Sequence, residues 1–362
     1  MLIRKIVDKM NWKTHFKSYL FIALSFMVIP CTTLYSQHQS EIFDLAKKLT
    51  AKSETDEEKL KAIFDWVTSN IKYDQKAAKN DISITKPLDE IIRTKSAICT
   101  GYSSLIKELC TISGIECLVI SGYAKSLPGQ NVNNSPDHAW NAVKLSDKWF
   151  LLDATWSIQK NAVKYYLIDP MSMIISHLPA QRWWQLLNLP VSFNDFAFGK
   201  TAPGDSSSDY KYNDTIQAVY QLSKSEIKIK EAEEAAIFNP SEKNKREYAA
   251  VLMEAAGEAS DKLASVMDTT DIVWLHNQFE YILSMSKEAS KMTDLLPSQK
   301  ELYIEVLLNY TAFLYNRLGK TSKKTAMGLL AEAKKILDTT PETYYTGHAR
   351  EIISTYESII KP

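Results

Sequence analysis

The chain has 362 residues, of which 45% are hydrophobic, and it carries 43 basic and 43 acidic side chains. This length accommodates two folded domains, and the hydrophobic content excludes wholesale disorder. If residues 1–36 are removed, 38 basic residues remain against 42 acidic ones. We therefore expect no nucleic-acid partner, because a weakly acidic chain has no electrostatic attraction for phosphates.

Residues 1–36 have the pattern of a signal peptide. A basic stretch precedes an apolar-rich run from Tyr19 to Ile29, which is long enough for a signal-peptide core and too short for a confident membrane span. We expect cleavage after Ser36 and export, to the periplasm, the cell surface or the medium. Contact with a membrane is expected only if this segment is retained or if Cys31 is lipidated, and the proline directly before Cys31 fits a lipobox poorly.

A helix is predicted to begin at or just before Cys99 and to end near Gly114. Apolar residues recur at helical spacing, at positions 105, 106, 109, 110 and 112. A cysteine at the start of a helix meets the positive end of the helix dipole, which stabilises a thiolate. Cys99 is therefore the candidate nucleophile, and its backbone N–H is a candidate oxyanion-hole donor. The sequence names no second donor.

Two strands are predicted downstream, over residues 138–145 and 148–153. They are rich in β-branched and aromatic side chains, and the short polar pair Ser146-Asp147 separates them. This arrangement predicts a hairpin. A hairpin would set His138, at the start of the first strand, beside Asp153, at the end of the second.

Cys99, His138 and Asp153 together have the composition of a catalytic triad. A thiol nucleophile needs a base to take its proton, and the base needs a residue that orients it. In this interpretation Cys99 attacks an amide carbonyl, His138 transfers the proton and Asp153 orients the imidazole. Taken singly, the three have plainer interpretations as an inert cysteine, a structural histidine and a strand-end cap. Zinc binding is disfavoured because no further Cys or His lies at ligand spacing, so no metal or other cofactor is predicted.

Tryptophans are frequent around the hairpin, and most are expected in the core because aromatic rings bury large areas. Two of them, Trp156 and Trp140, are predicted to line a substrate-binding cleft. Trp156 is the better candidate because it lies three residues beyond Asp153. The expected partner at this cleft is a protein or peptide substrate.

Removal of residues 1–36 would leave three cysteines, which are Cys99, Cys110 and Cys117. An odd number leaves at least one thiol unpaired in an oxidising compartment. Cys110 falls on the apolar face of the predicted helix and Cys117 on the next strand. Buried free thiols are therefore favoured for these two over a disulfide between them.

The composition changes after residue 198. Residues 199–213 are rich in Gly, Pro and Ser and are predicted to be a linker, while residues 214–362 have helical periodicity. Chain breaks divide the helical part into roughly six helices. Leu329–Pro341 is similar to part of a tetratricopeptide hairpin, but no 34-residue period persists, so a hairpin array and a simple bundle remain open. This domain either docks a protein partner or substrate, or supports the first domain.

Residues from about Thr55 to Phe198 resemble the transglutaminase-like superfamily, a papain-related fold. Besides the triad, the resemblance includes Lys61–Asp74, which ends in the pattern N-I-x-Y-D, and the strand region Ile112–Ala124. It implies an α+β domain over residues 37–198, in which the nucleophile helix packs on an antiparallel sheet, followed by an all-α domain. No acidic calcium loop is present in the sequence, so calcium dependence is not expected.

The segments 165–170, 173–179 and 184–187 are similar to the tail of the branch that contains kyphoscoliosis peptidase and cytokinesis protein 3. This branch includes peptidases and members that have lost the nucleophile. Ala97 replaces a glycine often found two positions before the nucleophile, and His177 is interpreted as a packing or hydrogen-bonding residue. The resemblance implies a cysteine peptidase or amidase that forms an acyl-thioester. The alternatives are a cross-linking transglutaminase and a noncatalytic peptide- or protein-binding module.

Overall fold

The computed structural model describes residues 31–79, 86–125, 131–158, 164–201, 209–267 and 271–360. The core of the predicted signal peptide lies outside these residues. Within the described part of the chain, no helix is both long and apolar enough to cross a membrane.

The first part of the chain, up to residue 201, contains both helices and strands. Its helices are α1 (Cys31–Thr50), α2 (Asp56–Asn70), α3 (Gln75–Lys79), α4 (Leu88–Thr94), α5 (Cys99–Ile112), α6 (Ala154–Ser157), α7 (Pro170–Met173) and α8 (Phe193–Ala197). Its strands are β1 (Lys72–Tyr73), β2 (Ser96–Ala97), β3 (Cys117–Ala124), β4 (His138–Leu145), β5 (Lys148–Leu152) and β6 (His177–Pro179). A short 3₁₀ helix spans Arg182–Gln185.

In the described residues, four antiparallel strands form the main sheet, in the order β5-β4-β3-β6. Ser146 and Asp147 join β4 to β5 with φ angles of 47° and 62°, the left-handed conformation that a two-residue hairpin of the favoured twist requires. The predicted hairpin is therefore present. In the sheet register, Asn141 of β4 lies opposite Leu152 of β5, so the start of β4 lies near the end of β5.

The predicted nucleophile helix is also present, as α5, and it packs on the sheet against β3 and β4. Its apolar face shares one core with residues of both strands of the hairpin, including Leu105, Leu109, Val143 and Leu152. The helix ends at a turn in which Gly114 has a φ of 82°, a conformation that glycine adopts without strain. The predicted α+β arrangement, with a helix on an antiparallel sheet, is confirmed.

A two-residue parallel pairing fixes the start of α5. Strand β1 pairs with β2 in a register that sets Tyr73 opposite Ala97, two residues before Cys99. Ala97 is buried, and a Cβ at Gly101 would lie 2.8 Å from the Ala97 Cβ. Ala97 stands where the resembling family often has glycine. Its methyl group fits this turn because Gly101, about one helical turn further on, has no Cβ to collide with it.

The second part of the chain is helical. Its helices are α9 (Tyr212–Val219), α10 (Lys224–Phe238), α11 (Glu242–Val266), α12 (Ile272–Met292), α13 (Pro297–Phe313), α14 (Lys323–Leu337) and α15 (Tyr344–Ile360), with π and 3₁₀ turns at Leu314–Leu318 and Gly319–Ser322. From α10 to α15, neighbouring helices pack in sequence order around one core. The predicted breaks near residues 240, 297, 319 and 341 fall between helices, and the break predicted at 269–270 lies outside the described residues.

Helix α9 differs from the prediction in two respects. It begins at Tyr212, inside the segment predicted as linker, and its residues Ile216 and Val219 pack with Trp183 and Trp184 of the first part of the chain. Composition identifies where a chain becomes polar and glycine-rich, but it does not say which core the next helix covers. The packing therefore assigns α9 to the first core.

Candidate active site

Cys99 is the first residue of helix α5. Its neighbour Ile98 is the N-cap, has an extended backbone and provides no side-chain cap. The first N–H groups of the helix therefore lie at the thiol without a capping side chain between them, and the positive end of the helix dipole is directed at Cys99. The side chain is half-buried, whereas the other two described cysteines are buried.

The hairpin brings His138 and Asp153 together. His138 is the first residue of β4, and Asp153 follows β5 and is the N-cap of α6. The distance between His138 Nε2 and Asp153 Oδ2 is 2.7 Å. The Cys99 thiol is close enough to His138 to contribute to raising its pKa. Because Asp153 occupies Nε2, Nδ1 is the ring nitrogen of His138 that is left for the thiol.

The Asp153 carboxylate accepts four hydrogen bonds. Its Oδ1 accepts from the backbone N–H groups of Thr155 and Trp156, at 2.7 and 3.1 Å, and its Oδ2 accepts from His138 and also from His177, the latter at 3.0 Å. Asp153 is 1% exposed. A buried carboxylate with all its acceptor positions occupied is held both ionised and fixed in orientation.

His177 is a member of the site to which the sequence assigned no role beyond packing or hydrogen bonding. It is fully buried at the start of β6, and its Nδ1 lies 2.7 Å from Ser176 Oγ. Strand β6 pairs with β3, in a register that sets His177 opposite Ala124. The residues next to His177 give no local signal of such a position, because the pairing joins segments about fifty residues apart.

The charges of the site are set by burial and by Asp153. Burial lowers the pKa of His138, but the charge and hydrogen bond of Asp153 outweigh it and raise that pKa from 6.5 to about 10. Burial would raise the pKa of Asp153, but the two histidines keep it well below its usual value. Burial lowers the pKa of His177 despite Asp153. The site thus favours a charged His138, an ionised Asp153 and a neutral His177.

The side chains of His138, Asp153 and His177 are also of the type that bind metals, and their potential ligand atoms lie within 4.8 Å of one another. The sequence argument against zinc considered only spacing along the chain, and the fold brings His177 to the other two from a distant segment. However, the 2.7 and 3.0 Å distances from nitrogen to oxygen are shorter than the roughly 3.3 Å that separates ligands around a tetrahedral zinc with bonds near 2.0 Å. These distances are those of direct hydrogen bonds.

The two predicted substrate-contacting tryptophans have different positions. Trp156 is half-buried, and its ring centroid lies 5.7 Å from that of His138, so it borders the site. Trp140 is 1% exposed and packs in the core with Trp183 and Trp184, so it offers no surface to a substrate and the prediction for it is wrong. Strand β4 is buried along almost its whole length, and a strand covered on both faces lacks the alternation that separates cleft from core.

Tyr73 is a further aromatic residue at the site. Its side chain is partly exposed, and burial together with the charges of Cys99 and Asp153 raises its pKa. The Tyr73 hydroxyl is therefore close enough to Cys99 for the charge of a Cys99 thiolate to affect its pKa. The register of β1 with β2 explains this position, because Tyr73 is opposite Ala97.

Cys110 and Cys117 are free and buried. The neighbouring Cys117 thiol and burial raise the pKa of Cys110. A buried thiol that is held protonated does not compete with Cys99 for electrophiles.

Residues 44–154 match the family model of the Transglutaminase-like superfamily. The matched stretch begins in α1, ends one residue after Asp153, and includes Cys99 and His138. The resemblance inferred from the sequence is confirmed, and the first part of this chain contains a domain of the transglutaminase-like superfamily.

The chain is also similar to curated proteins of animals and fungi. It is 35% identical to the kyphoscoliosis peptidase of Homo sapiens over 173 residues, which cover 44% of this chain and 26% of that protein. It is 25% identical to cytokinesis protein 3 of Saccharomyces cerevisiae over 217 residues, or 52% of this chain and 22% of that one. The solved structure of a TGase matches with 18% identity over 45% of this chain and 41% of that chain, at a TM-score of 0.28. The chain thus spans about a quarter of the length of the curated relatives.

Proposed function

We propose that this protein is a thiol-dependent acyl-transfer enzyme that hydrolyses protein or peptide amides. One observation carries the proposal: His138 contacts Asp153 through Nε2, the Cys99 thiol is close enough to contribute to the raised pKa of His138, and Cys99 stands at the start of a helix. This is the arrangement that a cysteine nucleophile requires, with a base beside it and an orienting group behind the base. Similarity to the kyphoscoliosis peptidase supports hydrolysis in preference to cross-linking.

The proposed reaction has two stages. In the first, the Cys99 thiolate attacks the amide carbonyl, the C–N bond breaks, and the imidazolium of His138 gives its proton to the leaving amine. The product is an acyl-thioester on Cys99. In the second, neutral His138 takes a proton from water, the resulting hydroxide attacks the thioester, and the thiolate leaves, so that the site returns to its starting charge. Asp153 stabilises the charged imidazole in both stages.

Alkylation by iodoacetamide tests the proposed nucleophile. We expect Cys99 to react at about pH 6, where an ordinary thiol is almost entirely protonated, and we expect the reaction to slow strongly in the His138→Ala variant. Cys99→Ser is the matched control, because Cys110 and Cys117 remain and the label should disappear. Slow alkylation that is unaffected by His138→Ala would favour a noncatalytic binding module instead.

A competition between water and an amine tests the reaction type. The wild-type protein would be incubated with a peptide library, with and without a fluorescent primary amine, and the products would be identified by mass spectrometry. Hydrolysis predicts new peptide carboxylates whether or not the amine is present. Predominant attachment of the amine to glutamine side chains would assign a transglutaminase.

We also propose that the protein is exported, because residues 1–36 have the basic and apolar pattern of a signal peptide. Expression in a Gram-negative bacterium followed by fractionation and N-terminal sequencing tests this proposal. We expect a periplasmic species that begins at Gln37. A lipid-modified species that begins at Cys31, or a full-length species in the membrane fraction, would contradict the proposed cleavage.

A further inference from the structure

Asp153 lies between two histidines, of which the proposed reaction uses only His138. His177 reaches the same carboxylate oxygen from β6. This strand lies at one edge of the sheet, and the hairpin that carries His138 and Asp153 lies at the other edge. Its other ring nitrogen contacts Ser176, whose Oγ lies 3.2 Å from the hydroxyl of Tyr165. A row of three polar side chains, the buried His177 and Ser176 and the half-buried Tyr165, thus ends at Asp153 of the triad.

Each hydrogen bond in this row has a defined direction. An ionised carboxylate only accepts, so Nε2 of His177 carries the proton that is donated to Asp153. Burial lowers the pKa of His177, so the ring is neutral and its Nδ1 accepts a hydrogen bond from the hydroxyl of Ser176. The Ser176 oxygen then accepts from Tyr165. Asp153 therefore determines that Nε2 of His177 is protonated, and the hydroxyl of Ser176 holds the other side of the ring, as outer partners do for other functional histidines.

We propose that His177 is a positioning residue, which holds the carboxylate of Asp153 in the orientation that His138 requires, and that the hydrogen bond from Ser176 holds the His177 ring in place. Oδ1 of Asp153 is tied to the backbone of α6, and Oδ2 is tied to His177 on β6 as well as to His138. A rotation of the carboxylate would break contacts with elements outside the hairpin. The proposal rests on the proposed function, since a positioned carboxylate matters only if His138 activates Cys99.

Two amide substitutions separate positioning from packing. In His177→Gln the side-chain nitrogen can reach the place of the imidazole Nε2, whereas in His177→Asn the shorter side chain reaches only the place of Nδ1. We expect Cys99 in His177→Asn to react with iodoacetamide roughly ten- to a hundredfold more slowly near pH 7, the scale that misplacement of a catalytic group produces. The pH at which the rate is half-maximal should also move upward, toward that of His138→Ala. His177→Gln should stay within about threefold of the wild-type rate.

Ser176→Ala tests the hydrogen bond between Ser176 and His177, because Ser176 is hydrogen-bonded to neither His138 nor Asp153. We expect it to slow the alkylation of Cys99 in the same direction as His177→Asn and by a smaller factor. His276→Asn is the matched control: His276 is hydrogen-bonded to Tyr310 in the helical part of the chain, and its replacement should leave the rate unchanged.

The outcomes distinguish the two proposals. If His177→Asn melts at a lower temperature but alkylates like the wild type, with the same pH dependence, His177 is only structural and the inference is overturned. If the wild-type rate itself does not depend on His138, the proposed function fails and the inference fails with it. If His177→Asn does not fold, Ser176→Ala decides, and a wild-type pH dependence in that variant overturns the inference.

Discussion

At the scale of single residues, the two thiols of helix α5 have opposite environments. Cys99 is half-exposed at the first residue of the helix, whereas Cys110 is fully buried in its apolar face and contacts Cys117. The same helix thus contains one thiol that a reagent can reach and one that is part of the core. We therefore expect Cys99 to be the more reactive thiol and Cys110 to contribute more to stability.

We expect Cys99→Ala to change the free energy of unfolding by less than about 1 kcal/mol, because little packing is lost at a half-exposed position. Cys110→Ala should cost about 1–2 kcal/mol, because it leaves a small cavity in the core. Urea denaturation of both variants checks the comparison. A larger cost for Cys99→Ala than for Cys110→Ala would mean that Cys99 is mainly structural.

The contribution of Asp153 to stability should depend on pH. The raised pKa of His138 contributes stability that is complete below pH 6.5 and is lost as the pH rises through about 10. The lowered pKa of Asp153 contributes stability that is present above pH 3.8 and is lost as the pH falls. The two pKa shifts describe one interaction, between His138 and Asp153. Asp153→Asn should therefore lower the free energy of unfolding most, by about 3 kcal/mol, between about pH 5 and 6.5, and by less toward pH 10. Urea denaturation of wild type and variant at several pH values checks this, and a cost that is constant with pH would contradict it.

At the scale of elements, strand β6 must approach β3 closely to bring His177 to the site. Gly122 of β3 pairs with Pro179, and a Cβ at Gly122 would lie 2.3 Å from the carbonyl oxygen of Leu178 and 2.5 Å from the ring of Trp140. The first of these neighbours is a backbone atom and the second belongs to a buried ring, so neither can move without a cost in stability. A glycine at this position therefore determines the distance between β6 and the triad.

Gly122→Ala should cost about 1–3 kcal/mol of unfolding free energy and should also slow the alkylation of Cys99, because the strand that carries His177 is displaced. Gly328→Ala is the control: nothing lies within 4 Å of the added Cβ in helix α14, so a gain of about 0.5–1 kcal/mol is expected there. Thermal unfolding and alkylation rates measure both effects. Unchanged stability in Gly122→Ala would show that β3 and β6 can separate without cost.

The elements also show which features local sequence can predict. Helix α5 and the hairpin each depend on periodicity or on a two-residue turn, and on residues within about twenty positions of one another, so their approximate positions, and with them the contact of His138 with Asp153, could be anticipated. Cys99 lies 39 positions before His138, so its place beside them was expected from the composition of a triad and from the family resemblance. His177 could not, because its position depends on the long-range pairing of β6 with β3. Trp140 was misjudged because β4 is covered on both faces.

At the scale of the whole molecule, the helical part of the chain is joined to the first part by buried polar contacts. The Tyr123 hydroxyl on β3 accepts hydrogen bonds from the side chains of Asn239 and Asn244, at 2.9 and 3.0 Å. Arg182 forms an ion pair with Glu234 of α10. Together with the packing of α9 on the first core, these contacts fit the expectation that the helical part supports the first part of the chain.

Tyr123→Phe should cost about 1–3 kcal/mol of unfolding free energy, because two buried amide groups lose an acceptor. Tyr281→Phe is the control, since the Tyr281 side chain is half exposed and its change should be close to zero. Urea denaturation followed by tryptophan fluorescence and by circular dichroism measures both variants. Equal stability of Tyr123→Phe and wild type would indicate that the two parts do not stabilise one another through this contact.

Trp156 gives the site an optical reporter of its own charge. The centroid of its ring lies 5.7 Å from that of His138 and 4.4 Å from that of His177. A protonated imidazole quenches the emission of a neighbouring indole more strongly than a neutral one does. The emission due to Trp156, obtained by subtracting the emission of Trp156→Phe from that of the wild type, should therefore increase when His138 loses its proton, so that the protonation of the unlabelled site can be followed by fluorescence.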